Sequence, residues 1–370
     1  MRYRRLPIEI ESPEQRGYGT LRCNLTESSF ADSPAGDLTA GLQDLLLCYG
    51  DHAGLPRLRE LIAAQGSCLA KDDVLVTPGA AAALFIANTS LLEPEDRLLV
   101  VRPNYATNIE TPRLLGCAVD FLDLSFERGW RLDPAELERR LSPRTALVSL
   151  TVPHNPTGAM MTEADLRRVI AIVEGRGARL LLDETYRDMA FGEPLPMAAA
   201  LSTRAISVSS LSKTYGLPGI RAGWLACRDK ALMETFLAAK EQIVICGSIL
   251  DEEVAARALE RRAATLPGVR RRIAEHFSIV KEWISREESL EWVEPSGGVV
   301  CFPRLRDGVD PERFYLALEA RGTFVGPGHW FEMDRRFFRL GYGWPKTEEL
   351  REGLGAISEA LVAARPIPSK

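Results

Sequence analysis

Two spacings of apolar residues alternate along the chain. From Tyr49 a glycine-bearing turn, Tyr-Gly-Asp-His-Ala-Gly-Leu-Pro, precedes a stretch that places Leu55, Leu58, Leu61 and Ile62 on one helical face. Val74-Leu-Val-Thr-Pro-Gly then reads as a strand ending in a turn, and the alanine-rich run from Ala80 to Leu92 as a helix. The alternation repeats, with strands over 97–101, 118–122, 146–150, 179–182, 205–208 and 224–226 and helices from about Tyr105 and over 134–141 and 163–174. This succession predicts an α/β fold, a mostly parallel sheet flanked by helices. Ligands then belong at the carboxyl ends of the strands.

Beyond about residue 250 the pattern changes. Helices are expected over 251–260 and 270–286, followed by a strand over 298–302, a helix over 311–321, strands over 323–325 and 337–340, and a last helix from Thr347. That mixture predicts a smaller α+β domain. Residues 1–40 are rich in Pro, Gly and Ser, with weak periodicity and one short segment, Asn24-Leu-Thr-Glu-Ser-Ser. The expected organisation is an N-terminal arm over 1–40, a large domain over 41–250 and a small domain over 251–370, with the cleft between the two domains.

Composition narrows the function classes. The 370 residues are 46% hydrophobic and 26% charged with a net charge of −5, and the arginines are scattered, so no basic face for nucleic acid is expected. The Met1-Arg-Tyr-Arg-Arg start has no apolar region behind it, which argues against a secretory signal, and no apolar run approaches the roughly 20 residues that span a bilayer. The seven cysteines are odd in number and widely spaced, which points to free, buried thiols in a reducing cytoplasm. None of the four histidines pairs with another at metal-ligand spacing, so no metal site is expected.

Polar residues stand at successive strand ends. The strand over 146–150 runs into Val-Pro-His-Asn-Pro-Thr-Gly, giving Asn155; the next ends in Leu-Leu-Leu-Asp-Glu-Thr-Tyr, giving Asp183 and Tyr186; the next leads to Ser210 and Lys213, with Arg221 eight residues on. Intervals of about thirty residues are what successive βα units produce, so these side chains can converge on one crevice. The turn before Ala80 leaves the backbone N–H groups of Gly79, Ala80 and Ala81 at a helix start suited to an anion. Taken singly, each has a plainer reading: Asn155 as a turn former, Asp183 as a helix cap, Tyr186 as core, Lys213 and Arg221 as solvated residues, Gly79 as an ordinary strand-to-helix turn.

Together, His154-Asn-Pro-Thr-Gly, Asp183-x-x-Tyr186, Ser210-x-x-Lys213 and Pro218-Gly-x-Arg221-x-Gly-Trp resemble, in that order, the fold type I pyridoxal-phosphate enzymes of the class I/II aminotransferase family. The resemblance spans about residues 45–345. It implies that Lys213 forms the Schiff base, that Asp183 pairs with the pyridine nitrogen, and that Asn155 and Tyr186 hold the ring hydroxyl. Ser210, Arg221 and the Gly79-Ala80-Ala81 turn would bind the phosphate, and Tyr105 would stack on the ring.

The residue types suit that chemistry. A carboxylate keeps the pyridine nitrogen protonated, and the protonated ring withdraws electrons. A lysine amine can both bond to the cofactor and move a proton, and arginine's planar fork suits a phosphate. By the same resemblance Arg339, in Phe-Phe-Arg-Leu-Gly-Tyr-Gly, would pair with the substrate α-carboxylate, its plainer reading being a surface strand arginine. Tyr49 would reach the phosphate of a neighbouring subunit, implying a homodimer with active sites at the subunit interface.

One departure is the phosphate turn, Gly-Ala-Ala-Ala-Ala, which offers no hydroxyl or amide side chain. The expected reaction is transamination of an α-amino acid to its α-keto acid by a ping-pong route. The alternative is a lyase, replacement enzyme or cyclase acting on an amino acid through the same cofactor. The arm's role and the substrate are open, since the catalytic residues do not separate these reactions. The fold also serves as the effector domain of some transcription regulators, but with Tyr49 already in the cofactor domain no room is left for a helix-turn-helix.

Overall fold

The computed structural model describes residues 3–365. Its centre is a seven-stranded sheet built from β2 (Val74–Pro78), β3 (Arg97–Arg102), β4 (Ala118–Asp123), β5 (Thr145–Thr151), β6 (Arg179–Asp183), β7 (Ala205–Ser210) and β8 (Ala222–Ala226), in the spatial order β2-β8-β7-β6-β5-β3-β4. The pairs β3–β4, β3–β5, β5–β6 and β6–β7 are parallel. β8 runs antiparallel to both β2 and β7, which leaves β2 parallel to the other five. Six carboxyl ends therefore open on one edge.

The strands are apolar on both faces because helices cover both. In β6, Leu180, Leu181 and Leu182 are all fully buried, the pattern of a parallel sheet interior rather than of a half-exposed one. Helix Glu163–Gly175 packs beneath with Leu166, Val169, Ile170 and Val173 inward, and Thr162 caps it by accepting from the Asp165 N–H. Fully burying side chains of this kind contributes about 1.5–3 kcal/mol each.

A four-stranded sheet, ordered β1-β12-β13-β10, consists of β1 (Cys23–Leu25), β12 (Thr323–Pro327), β13 (Phe338–Gly341) and β10 (Val300–Cys301), and a two-stranded ribbon joins β9 (Leu290–Glu291) to β11 (Arg304–Leu305). The arm thus enters this sheet through β1, which pairs in parallel with β12. Before it, residues 7–11 and 13–16 form two short helices. The sequence pattern predicted neither these helices nor β1, because each is too short to show a period.

Other boundaries moved. The helix expected over 270–286 begins at Arg262 and runs to Ile284, with Pro267 inside it. The strand expected over 298–302 is only two residues long, and helix Lys230–Ile243 was not anticipated at all, although Asp229 caps it and Leu232, Met233 and Phe236 form its buried face. Burial also corrects the thiols. Cys23, Cys117, Cys227 and Cys301 are buried, Cys48 and Cys68 are exposed, and Cys246 is half-buried, all of them free. No helix among the described residues is long and apolar enough to cross a membrane, and no group of three or more metal-binding side chains lies together there.

Candidate active site

A cavity of about 380 Å³ opens at the carboxyl edge of the large sheet and is closed on the far side by the arm and the four-stranded sheet. Ten of the twelve predicted site residues line it: Ala80, Ala81, Tyr105, Asn155, Asp183, Tyr186, Ser210, Lys213, Arg221 and Arg339. β5, β6 and β7 are neighbours, and Asn155, Asp183 and Lys213 lie at or just past their ends. Sheet order, not proximity in the chain, brings them together.

Asp183 forms part of the cavity's inner wall. Its Oδ1 accepts from the Thr185 N–H at 3.0 Å and the Thr185 hydroxyl at 2.6 Å. Burial pushes the Asp183 carboxyl upward, against the pull of those two donors and of the Lys213 charge. A cation beside it would hold it ionised. Tyr186 donates to Ser28 Oγ at 3.0 Å, and burial raises its phenol to about 12, so it is a neutral donor at ordinary pH. Burial likewise raises the Tyr105 phenol. Tyr105 itself is placed by Asn104, whose Oδ1 accepts from the Tyr105 N–H at 2.7 Å.

Gly79 and Tyr49 are the two that do not line the cavity. Gly79 adjoins it at φ +77°, and a Cβ there would sit 2.6 Å from Arg221 Nη2, so glycine suits the left-handed backbone and leaves the guanidinium its present place beside the helix start. Arg221 is itself left-handed at φ +45° and donates from Nη1 to the Pro218 carbonyl at 2.8 Å, with its fork beside Gly79. Tyr49 is 83% exposed, next to exposed Leu46 and Leu47, and contributes nothing to this chain's own cavity.

Arg339 is buried, and three of its five N–H groups have protein partners. Nε and Nη2 donate to the Thr26 carbonyl at 3.1 and 2.7 Å, and Nη1 donates to Asn155 Oδ1 at 3.0 Å. Its guanidinium also lies 5.1 Å from the centre of the Phe331 ring. The surface-arginine reading is thereby excluded.

Sequence reasoning missed the wall supplied by the arm. Residues 26–33 thread between β13 and the lysine loop: Phe30 N–H donates to the Lys213 carbonyl at 2.9 Å, Ser33 N–H to the Gly216 carbonyl at 2.7 Å, and Ser33 Oγ to the Tyr215 carbonyl at 3.1 Å. Glycines permit the approach, since a Cβ at Gly341 would strike the Glu27 carbonyl oxygen and one at Gly216 the Ala31 carbonyl oxygen. The segment brings Thr26, Glu27, Ser28, Ser29 and Asp32 to the cavity, joined by Tyr18 and Trp344. The quoted run Asn24-Leu-Thr-Glu-Ser-Ser overlaps it, but nothing in its pattern points to a site.

The model of the class I and II aminotransferases matches residues 30–357. The chain belongs to that family. Capreomycidine synthase of Streptomyces vinaceus is 32% identical over 327 residues, covering 87% of this chain and 83% of the relative. A pyridoxal-phosphate-dependent aminotransferase of Streptococcus suis superposes with a TM-score of 0.91 at 28% identity over 99% of this chain and 100% of that one. The pyridoxal-phosphate-dependent cyclase OrfR does so at 0.89, with 28% identity and 98% coverage of both chains.

As an aminotransferase-family enzyme, the protein takes pyridoxal 5′-phosphate as its cofactor. The cavity fits that group. It offers an amine, a buried carboxylate, and an arginine beside a helix N-terminus where a glycine leaves it room. Ser210 and Ser212 add hydroxyls on the same side.

Proposed function

We propose that the protein transfers the amino group of an α-amino acid to the cofactor and releases the α-keto acid, a second keto acid completing the cycle. The observation that carries this reading is that Lys213, Asp183 and Arg339 face one cavity from three different elements. The bound cofactor supplies an electron-withdrawing ring that stabilises negative charge at the substrate Cα. The chain's residues do the rest. Arg221, Ser210, Ser212 and the N–H groups of Ala80 and Ala81 would hold the phosphate. Asp183 would pair with the ring nitrogen and keep it protonated, while Tyr186 and the amide nitrogen of Asn155 would hold the ring hydroxyl and Tyr105 would pack against the ring.

Lys213 would be the covalent attachment point, and its Nζ amine would serve as the base that takes the proton from the substrate Cα. Arg339 grips the α-carboxylate and so aims the Cα–H bond at that amine. The arm excludes water from the substrate side.

A homodimer acting in the cytoplasm is part of the same reading. Its support is the exposed apolar set Leu46, Leu47, Tyr49, Ile243 and Ile245, with Tyr49 outside its own cavity.

A second reading is favoured by the likeness to capreomycidine synthase and to OrfR, a named cyclase. In it the same Cα deprotonation leads to ring closure within the substrate. A half-reaction separates the two: holoenzyme is mixed with each amino acid without a keto acid, and products are counted per site. Transamination predicts one equivalent of keto acid and a cofactor left in its amine form. A cyclic amino acid, or released ammonia with the cofactor unchanged, would refute it in favour of the alternative.

A further inference from the structure

The outer half of the cavity carries more negative charge than the proposed chemistry uses. Glu9, Glu14, Glu27 and Asp32 all line it. Among the described residues none of the four is ion-paired with an arginine or lysine: Glu27 Oε1 accepts from Tyr18 OH at 3.2 Å and from Asn24 at 3.5 Å, and Asp32 Oδ2 accepts from Trp344 Nε1 at 2.9 Å. Arg5, the basic side chain beside Glu9, spends its guanidinium on the Glu9 carbonyl oxygen and on Gln15. The cavity's own cations have other work, Lys213 and Arg221 with the cofactor and Arg339 with the α-carboxylate.

These carboxylates are held in place. Glu27 and Asp32 sit on the segment strapped to the Lys213 loop and to β13. The Tyr18 and Trp344 rings stack at 5.8 Å and 18°, and each donates to one oxygen of one carboxylate, leaving the second oxygen free. The field is felt nearby: burial first, then the charges of Glu27 and Glu14, raise the Tyr18 phenol far above its ordinary value.

A second feature points the same way without involving charge. Ser12 and Ser29 line the cavity with 6% and 4% of their surface exposed, and their hydroxyls have no hydrogen-bond partner among the described residues. Both hydroxyls are open to the cavity and carry no protein partner there, which leaves them available to a ligand. A cation flanked by carboxylates, serine hydroxyls and a stacked aromatic pair is bound by all three. An acidic side chain would be repelled.

We propose that this outer half is a subsite for a cationic side chain, so that the substrate is an α-amino acid ending in a guanidinium or ammonium group. The inference rests on reading the cavity as an amino-acid site with Arg339 at the α-carboxylate. Arg339 then fixes one end of the substrate and the arm carboxylates the other.

The test is equilibrium binding to the holoenzyme, by calorimetry or by titrating the cofactor absorption band, with arginine, lysine, citrulline, glutamate and alanine. Arginine or lysine should bind at least about tenfold more tightly than citrulline, as expected for hydrogen bonds between charged groups. The advantage should shrink in high salt, since Glu9, Glu14 and Asp32 are exposed. The doubly substituted Glu27→Gln, Asp32→Asn protein should lose most of the arginine-over-citrulline ratio. If that variant fails to fold, the five-ligand comparison on the unaltered protein decides alone. Citrulline binding as tightly as both arginine and lysine, or glutamate binding best, would overturn the subsite even if keto acid is formed. Tight arginine or lysine binding without keto acid would keep the subsite and overturn the aminotransfer reading.

Discussion

Arg339 Nη1 donates to Asn155 Oδ1 at 3.0 Å, so an arginine on the four-stranded sheet is tied directly to the loop that follows β5 of the seven-stranded one. The same guanidinium holds the arm through the Thr26 carbonyl. One side chain therefore sets the spacing of the three walls of the cavity. Burial alone lowers the Arg339 pKa, yet a guanidinium stays charged throughout the working range.

Replacing Arg339 by alanine should raise KM for α-amino acids by about 10- to 100-fold, since a charge-assisted pair is worth about 1.5–3 kcal/mol. Steady-state kinetics on the best substrate checks this. An unchanged KM would place the α-carboxylate elsewhere.

Gly79→Ala should weaken cofactor binding by about tenfold, the worth of one charge-assisted hydrogen bond at about 1.5 kcal/mol, because the methyl would push Arg221 away. Equilibrium dialysis of the cofactor against the apoprotein measures it. Equal affinity in the two proteins would show that Arg221 does not need its position over Gly79.

Glu184 makes stability depend on pH. It is buried behind Asp183, with Oε1 accepting from the Ala198 N–H and the Ser207 hydroxyl, both at 2.7 Å, and burial raises its carboxyl to about 7. Because the folded-state pKa lies above the unfolded one, this contribution is fully present below about pH 4.5 and is lost as pH rises through about 7, an ionisation cost of order 3 kcal/mol. Glu184→Gln keeps both acceptor bonds and cannot ionise. The difference in Tm between variant and parent should therefore grow from pH 5 to pH 8, and parallel curves would contradict the assignment.

Tyr49 tests the assembly. If two chains share their sites, sedimentation should report a dimer, and Tyr49→Phe should raise the cofactor Kd although Tyr49 lines no cavity in its own chain. A monomer with full cofactor affinity would refute the shared site.

The legibility of this protein followed the length of its elements. Strands of five to seven residues with apolar runs, such as Ala146 to Val148 in β5 and Leu180 to Leu182 in β6, were readable because burial on both faces favours consecutive apolar residues. Asn155, Asp183 and Lys213 were readable because parallel topology puts strand ends on one edge. The arm was not: β1 has three residues, and Thr26, Glu27 and Asp32 reach the cavity only through backbone bonds to the Lys213 loop and glycine clearances at Gly216 and Gly341. Those are tertiary facts with no periodic trace. The same reason hid the carboxylate wall, whose members lie on three separate short segments.

The account turns on Lys213 as the cofactor's point of attachment, and borohydride reduction of the holoenzyme followed by peptide mass mapping tests it directly. The pyridoxyl group should be found on the peptide carrying Lys213, and Lys213→Ala should lose both that adduct and turnover while its far-ultraviolet circular dichroism stays unchanged. A modified lysine elsewhere in the chain, or turnover retained in Lys213→Ala, would contradict the account.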